Sequence, residues 1–345
     1  MTKENSKGLY GIAVLLMIYH HLFCIPERLN CSYYSLLGID MGGGKTLELK
    51  IAWFGKICIA IYAFITGYGL FQSVNNKSMD TLTARLVYDY SYIIKKIFLF
   101  LTKVIIVFCV FAPIGIGLGK IEFDNFVDLV LSAVGYNIKI NSEWWYIKVY
   151  VCMLLVFPIG NAFFEHYRKN EILNKLLLLI VGTCAFIVAR QYLASVYFVI
   201  FCTGYLISKY RVFQKLDLIT ERKLRIGVIC VVTAFVIRII IADSAIYNDI
   251  DILITPLFIY GVCILNDYAN LYFKLLKKIG EYSTYIWLTH TFFCYYYFQK
   301  IITISRFSTL ILMETIVASF FTAVVLSEIE KKVICIVGGY RNGTD

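Results

Sequence analysis

The stretch GLYGIAVLLMIYHHLFCI, Gly8 to Ile25, runs eighteen residues without a Lys, Arg, Asp or Glu. At a rise of ~1.5 Å per residue it is long enough to enter and nearly cross a hydrocarbon core of ~30 Å. The polar segment Met1 to Lys7 before it gives the outline of a secretory leader. No small-residue cleavage site follows, so the segment reads as a retained first span. Working outward, further apolar segments fall at Ile51–Phe71, Ile97–Leu118, Trp144–Phe164, Leu176–Ala189, Tyr192–Ser208, Ile226–Ala242, Ile252–Asn266, Tyr282–Phe298 and Ser308–Leu326. With 60% apolar and 16% charged residues among 345, no room is left for a sizeable soluble domain. The predicted fold class is all-α, a polytopic membrane helix bundle of about ten transmembrane helices. Long continuous apolar runs exclude a β-barrel, whose strands alternate.

Orientation follows from Lys and Arg, which are retained in cytoplasmic loops. Twenty-one fall in the alternate segments that include both ends of the chain, against eight in the other set. Both termini are therefore expected in the cytoplasm. The same asymmetry absorbs most of the formal net charge of +10, and no nucleic-acid partner is expected. Most of the eleven cysteines sit singly in apolar runs without the spacing of metal ligands, and no metal is expected. Cys24 and Cys31 lie near enough in sequence to pair.

Polar side chains inside apolar runs are costly and face the bundle interior or water, so they are the candidates for chemistry. Adjacent helical positions diverge by about 100°, so His20 and His21 do not serve one site equally. His21 stands eleven residues after Tyr10 and fourteen after Lys7, which brings all three close to one face, whereas His20 points away from Lys7. His21 is the favoured general base, because an imidazole of pKa about 6.5 takes and returns protons near neutral pH. The competing reading is a helix-end histidine in a hydrogen bond or facing water. His290 lies deeper, in the ninth segment. Lys56, Lys103, Lys148 and Arg238 read first as snorkelling side chains, with phosphate binding as the alternative. Glu143-Trp144-Trp145-Tyr146 opens the fourth segment on its outer side, as an interfacial aromatic belt or a face for sugar rings. No P-loop, Gly-x-Ser-x-Gly or His-Glu-x-x-His motif is present.

In order and spacing these residues resemble the acyltransferase 3 family of integral membrane O-acyltransferases. Gly11-Ile12-Ala13 and His21 are similar to the family's opening helix, in which a basic residue stands eleven positions before the histidine. Tyr10 holds that place here, and Lys7, one turn earlier, is the available substitute. Ile61 to Leu70, with Thr66-Gly67-Tyr68, resembles the family's aromatic run ending in Ser-Gly-Tyr. Glu143-Trp144-Trp145-Tyr146 resembles its Leu-Trp-Phe segment, and Ser283 to His290 its Ser-x-x-Tyr-x-x-x-His pattern, with Ile286 in the Tyr position. A paired-arginine motif is approximated by Arg85, Lys95 and Lys96.

The resemblance implies transfer of an acyl group, most often acetyl, from cytoplasmic acetyl-CoA to a hydroxyl of a surface or lipid-linked carbohydrate, capsular or exopolysaccharide, at a bacterial plasma membrane. It implies His21 as base, with His20 and His290 as further catalytic candidates and His290 or Tyr68 as donor to the oxyanion. Arg85, Lys95 and Lys96 would draw in the phosphates of the donor, with Lys7, Tyr10, Glu143, Trp144 and Trp145 as further binding residues. The expected partners are a carbohydrate acceptor, acyl-CoA and the lipid bilayer; oligomeric state is left open. The expected organisation is one transmembrane domain over 1–345, ending in a short cytoplasmic tail, 329–345. On composition alone a glycan transporter, flippase or polymerase fits the same chain, as does a structural or sensory protein. Dependence on an acyl donor separates these readings.

Overall fold

The Thr2 hydroxyl accepts the Asn5 N–H at 3.1 Å, which satisfies one free donor at the start of a helix and lets α1 (Lys3–Phe23) begin ahead of the apolar run. A computed structural model describes residues 1–74, 79–166, 193–221, 223–266, 268 and 270–337. Among them the chain is helical and has no β-strand. After α1 come α2 (Leu47–Gly55), α3 (Ile57–Val74), α4 (Leu82–Gly117), α5 (Phe126–Ala133) and α6 (Trp145–His166). The next described helices are α7 (Leu193–Lys209), α8 (Val212–Ile219), α9 (Lys223–Ile240), α10 (Asp251–Asn266) and α11 (Asn270–Glu281). The last are α12 (Ser283–Thr291), which runs into a π-helical turn at Phe292–Tyr296, then α13 (Gln299–Ile302) and α14 (Ser308–Val337). The expected span Leu176–Ala189 lies outside the described residues.

Four helical stretches are long and apolar enough to cross a membrane: Leu47–Val74, Leu82–Gly117, Ser142–His166 and Ser308–Cys335. Val196–Lys209 and Val212–Ile219 add a fifth if the two, bent by 59°, are taken as one span. At ~1.5 Å per residue the 36 residues of α4 reach about 54 Å, well beyond the hydrocarbon core.

Two expected spans are interrupted. The second breaks at Lys56, and a buried arginine holds the break. Arg238 pairs with Asp251 through two contacts, at 2.7 and 2.9 Å, and its Nη1 donates to the carbonyls of Trp53 at 2.7 Å and Phe54 at 3.1 Å. Those carbonyls close α2, so Arg238 is neither snorkelling nor free to take phosphate. The ninth expected span ends its α-helix at Thr291, before the π turn. Lys103 is also committed, to Glu330 at 2.6 Å, and Lys148 lies 4.4 Å above the Tyr136 ring. Cys24 and Cys31 are free thiols.

The amphipathic α11 falls where charge counting put a loop around Lys274, Lys277 and Lys278. Phe273 and Ile279 of its apolar stripe are buried. Glycines let α1 and α11 touch through their backbones: a Cβ at Gly11 would lie 2.0 Å from the Leu276 carbonyl oxygen, and one at Gly280 1.9 Å from that of Lys7. Small residues at helix crossings permit this approach in bundles, where packing rather than the hydrophobic effect joins helices.

Candidate active site

The packing of α1, α3, α4, α6 and α12, with the end of α11, leaves a cavity of about 590 Å³. Its long wall is α1, which contributes Lys7, Tyr10, Met17, His20 and His21. Fourteen residues separate Lys7 from His21, about 21 Å along the helix axis. One end of the cavity is charged by Lys7, Glu281 and Lys96; the other holds the histidines, Lys56 and Glu143. Lys96 belongs with the first group because Phe100, one turn on, stacks on Trp287 (6.1 Å between ring centres) one turn inside α12. The middle is aromatic: Tyr10 packs on Tyr62 at 5.2 Å, and Tyr146, Tyr150 and Trp145 line the opposite side.

At the first end Lys7 Nζ donates to Glu281 Oε1 at 3.1 Å and lies 3.5 Å from Glu4. The hydrogen bond between Lys7 and Glu281 raises the Lys7 ammonium above its ordinary value and lowers the Glu281 carboxyl. Lys7 is therefore engaged at the mouth, and Tyr10 holds the wall between it and His21.

At the other end three imidazoles meet. The His21 ring lies 5.3 Å from that of His20 and 5.0 Å from that of His290, centre to centre. Their hydrogen bonds differ. His20 Nδ1 contacts the Ala52 carbonyl at 2.7 Å; a carbonyl only accepts, so this nitrogen holds the proton. His290 Nδ1 donates in the same way to the carbonyls of Trp287 at 2.8 Å and Ile286 at 3.1 Å. Its Nε2, buried and without a hydrogen-bond partner among the described residues, is left with the lone pair. A neutral His290 thus presents an acceptor and not the oxyanion donor that the sequence suggested.

His21 alone has acceptors near both nitrogens. Nε2 lies 3.8 Å from Glu143 Oε2, and Nδ1 3.5 Å from the hydroxyl of Tyr295. The Tyr295 proton goes to Glu143 Oε1 at 3.0 Å, so the Tyr295 oxygen turns its lone pairs outward. An imidazolium at His21 finds an oxygen beside each N–H, while a neutral ring keeps one lone pair to offer. Both contacts are looser than full hydrogen bonds, as is common before substrate tightens a site.

Glu143 is itself held. Arg28 Nη1 lies 4.0 Å away, and the Glu143 N–H donates to Asn141 Oδ1 at 3.0 Å. The next residue, Trp144, is fully buried, its indole N–H donating to the Leu288 carbonyl at 3.1 Å. Trp144 therefore anchors this turn to α12 and offers no face for a sugar, whereas Trp145 lines the cavity.

His290, though its ring lies beside His21, does not itself line the cavity, and Tyr68, Arg85 and Lys95 are elsewhere. The Tyr68 hydroxyl accepts from the Met1 amino group at 3.0 Å and does not line the cavity. Arg85 is buried against Asp89 at 3.1 Å, and Asp89 accepts from Asn161 at 2.6 Å. Lys95 faces outward beside Lys96. Sequence reasoning missed Arg28, treated as a loop charge, and Tyr295, whose place depends on a π-helical turn that periodicity does not reveal. Among the described residues no group of three His, Cys, Asp or Glu lies close enough to hold a metal ion.

No curated protein and no solved structure matches the chain. A family model does: that of the acyltransferase domain, acyltransferase 3 family, matches residues 7–328. The match starts at the lysine at the mouth of the cavity and ends beyond the charged and histidine-bearing walls just described, in the last long helix. The chain belongs to the acyltransferase 3 family of membrane O-acyltransferases, and it is an acyltransferase.

Proposed function

We propose that this chain transfers acetyl from acetyl-CoA, entering at the Lys7 and Lys96 end, to a hydroxyl of a surface or lipid-linked carbohydrate that reaches the histidine end. The reading includes ten spans with both termini in the cytoplasm of a bacterial cell, so that donor and acceptor arrive from opposite faces of the plasma membrane. The observation that carries it is one cavity lined by Lys7, Glu281 and Lys96 at one end and, at the other, by His21 with an oxygen beside each ring nitrogen.

In the reaction, His21 takes the proton of the acceptor hydroxyl, and the oxygen attacks the thioester carbonyl. The hydroxyl of Tyr146, a residue that lines the cavity, has no hydrogen-bond partner among the described residues and donates to the oxyanion in place of Tyr68 and His290. Collapse breaks the carbon–sulfur bond, and His21 returns its proton to the departing thiolate. Glu143 and Tyr295 hold the imidazolium between the two steps. A general base contributes about 10²–10⁴-fold and one oxyanion donor about 10²–10³-fold.

The test uses isolated membranes, radiolabelled acetyl-CoA and the glycan of the host cell. Wild type labels the glycan, and His21→Ala loses about 10²-fold or more at equal protein abundance. His20→Ala loses less, since its Nδ1 is already occupied by Ala52. Undiminished labelling by His21→Ala removes the base from the mechanism. Glycan movement without any label supports the transport reading instead.

A further inference from the structure

Lys56 is the one residue between α2 and α3, and its side chain lines the cavity at the histidine end. A Cβ on Gly55 would stand 2.5 Å from the Leu16 carbonyl oxygen and 3.1 Å from His20 Cβ, so the break is packed directly against α1 at the level of His20. Arg238, gripping Trp53 and Phe54, fixes it from the other side.

The acidic groups near Lys56 are already used. Asp251 is held by Arg238 through both oxygens. Glu143 is matched by Arg28 and accepts from Tyr295. The Lys56 ammonium lies over the face of the Tyr247 ring, 5.6 Å from its centre. A cation in a bundle interior is costly until an anion or water meets it. Here it lines the same cavity as His21, at the level of His20.

Resting on the reading that a carbohydrate hydroxyl is acylated at His21, we propose that the acceptor is anionic: Lys56 holds a carboxylate or phosphate carried by the glycan and so sets which hydroxyl meets the base. On the same reading the donor's phosphates are not its ligand, because they enter at the Lys96 end of the cavity, where Lys7 lies about 21 Å down α1 from His21.

The experiment uses the full chain in lipid nanodiscs and three probes: methyl β-glucoside, methyl β-glucuronide and methyl β-glucoside 6-phosphate. Binding is measured by calorimetry, and in the same preparations transfer of label from acetyl-CoA. One charge-assisted contact predicts that wild type binds an anionic glycoside about 10- to 100-fold more tightly than the neutral one. The tighter of the two anions tells a carboxylate acceptor from a phosphate one. Lys56→Gln and Lys56→Met bring the ratio to about one, while Lys56→Arg keeps it. Equal binding of all three by wild type overturns the proposal, as does a preference that survives Lys56→Gln or Lys56→Met; either outcome leaves a snorkelling lysine. Label absent from every glycoside, with the preference present and lost in Lys56→Gln, sinks acetyl transfer and upholds the anion site.

Discussion

Replacing Glu143 by Gln keeps the side chain's shape and removes its charge, so it isolates what the carboxylate does for His21. Two unit charges at the observed 3.8 Å attract by about 4 kcal/mol at an effective dielectric constant of about 20. Solvent screens part of this, since the side chain of Glu143 is 18% exposed. What remains for an imidazolium formed during the reaction is about 1.5–3 kcal/mol, or about 10- to 100-fold in rate. The interaction arises only as the proton moves, so the loss belongs in kcat with KM for both substrates nearly unchanged. Initial rates of transfer from labelled acetyl-CoA, in membranes normalised for protein abundance, separate the two constants. Glu143→Asp, which keeps the charge on a shorter arm, recovers part of the loss; a residue needed only for folding would show no such rescue in kcat. A Glu143→Gln enzyme within about 3-fold of wild-type kcat refutes the reasoning, because a charge at that distance cannot then be coupled to the base.

Lys96→Ala is expected to raise KM for acetyl-CoA by about 10-fold, the worth of one charge-assisted contact, with a smaller change for the outward-facing Lys95→Ala; titration of donor concentration decides. Gly280→Ala places a methyl 1.9 Å from the Lys7 carbonyl oxygen, and overpacking of this kind costs about 1–3 kcal/mol, read as a lowered unfolding temperature in detergent. In the α4–α6 connection, the hydrogen bond from Lys139 holds Asp128 below its ordinary value of 3.8. A depressed carboxyl stabilises the fold above its unfolded value and ceases to do so as pH falls through the lower folded one. Protection from hydrogen exchange over residues 124–139, taken relative to the intrinsic rate at each pH, should therefore fall below about pH 4, and Lys139→Ala should narrow the difference in protection between that pH and neutrality.

Apolar runs made the helical character and the membrane-length apolar helices legible because they act through composition over some twenty residues, which tolerates local irregularity. The same averaging concealed the irregularities that build the site. Lys56 looked like one charge in the second run; its meaning comes from Arg238 and Asp251, which reach the break from later helices. The angular argument for His21 found the right wall, since Lys7, Tyr10 and His21 do line one cavity, but it treated His20 as facing elsewhere, and His20 lines that cavity too. What distinguishes the two rings is the company of each nitrogen, Ala52 for one and Glu143 with Tyr295 for the other. That company depends on contacts between distant parts of the chain, to which helical periodicity is blind. The departure at Tyr10 has the same explanation. A basic residue at that position would sit about 16 Å from the histidine along α1, too far to touch the imidazole, so the proposed mechanism needs its steadying charge from another element. Glu143, held by buried Trp144 and by Asn141 in the turn before α6, stands 3.8 Å from His21 to supply it in the proposed mechanism, and Tyr10 packs on Tyr62.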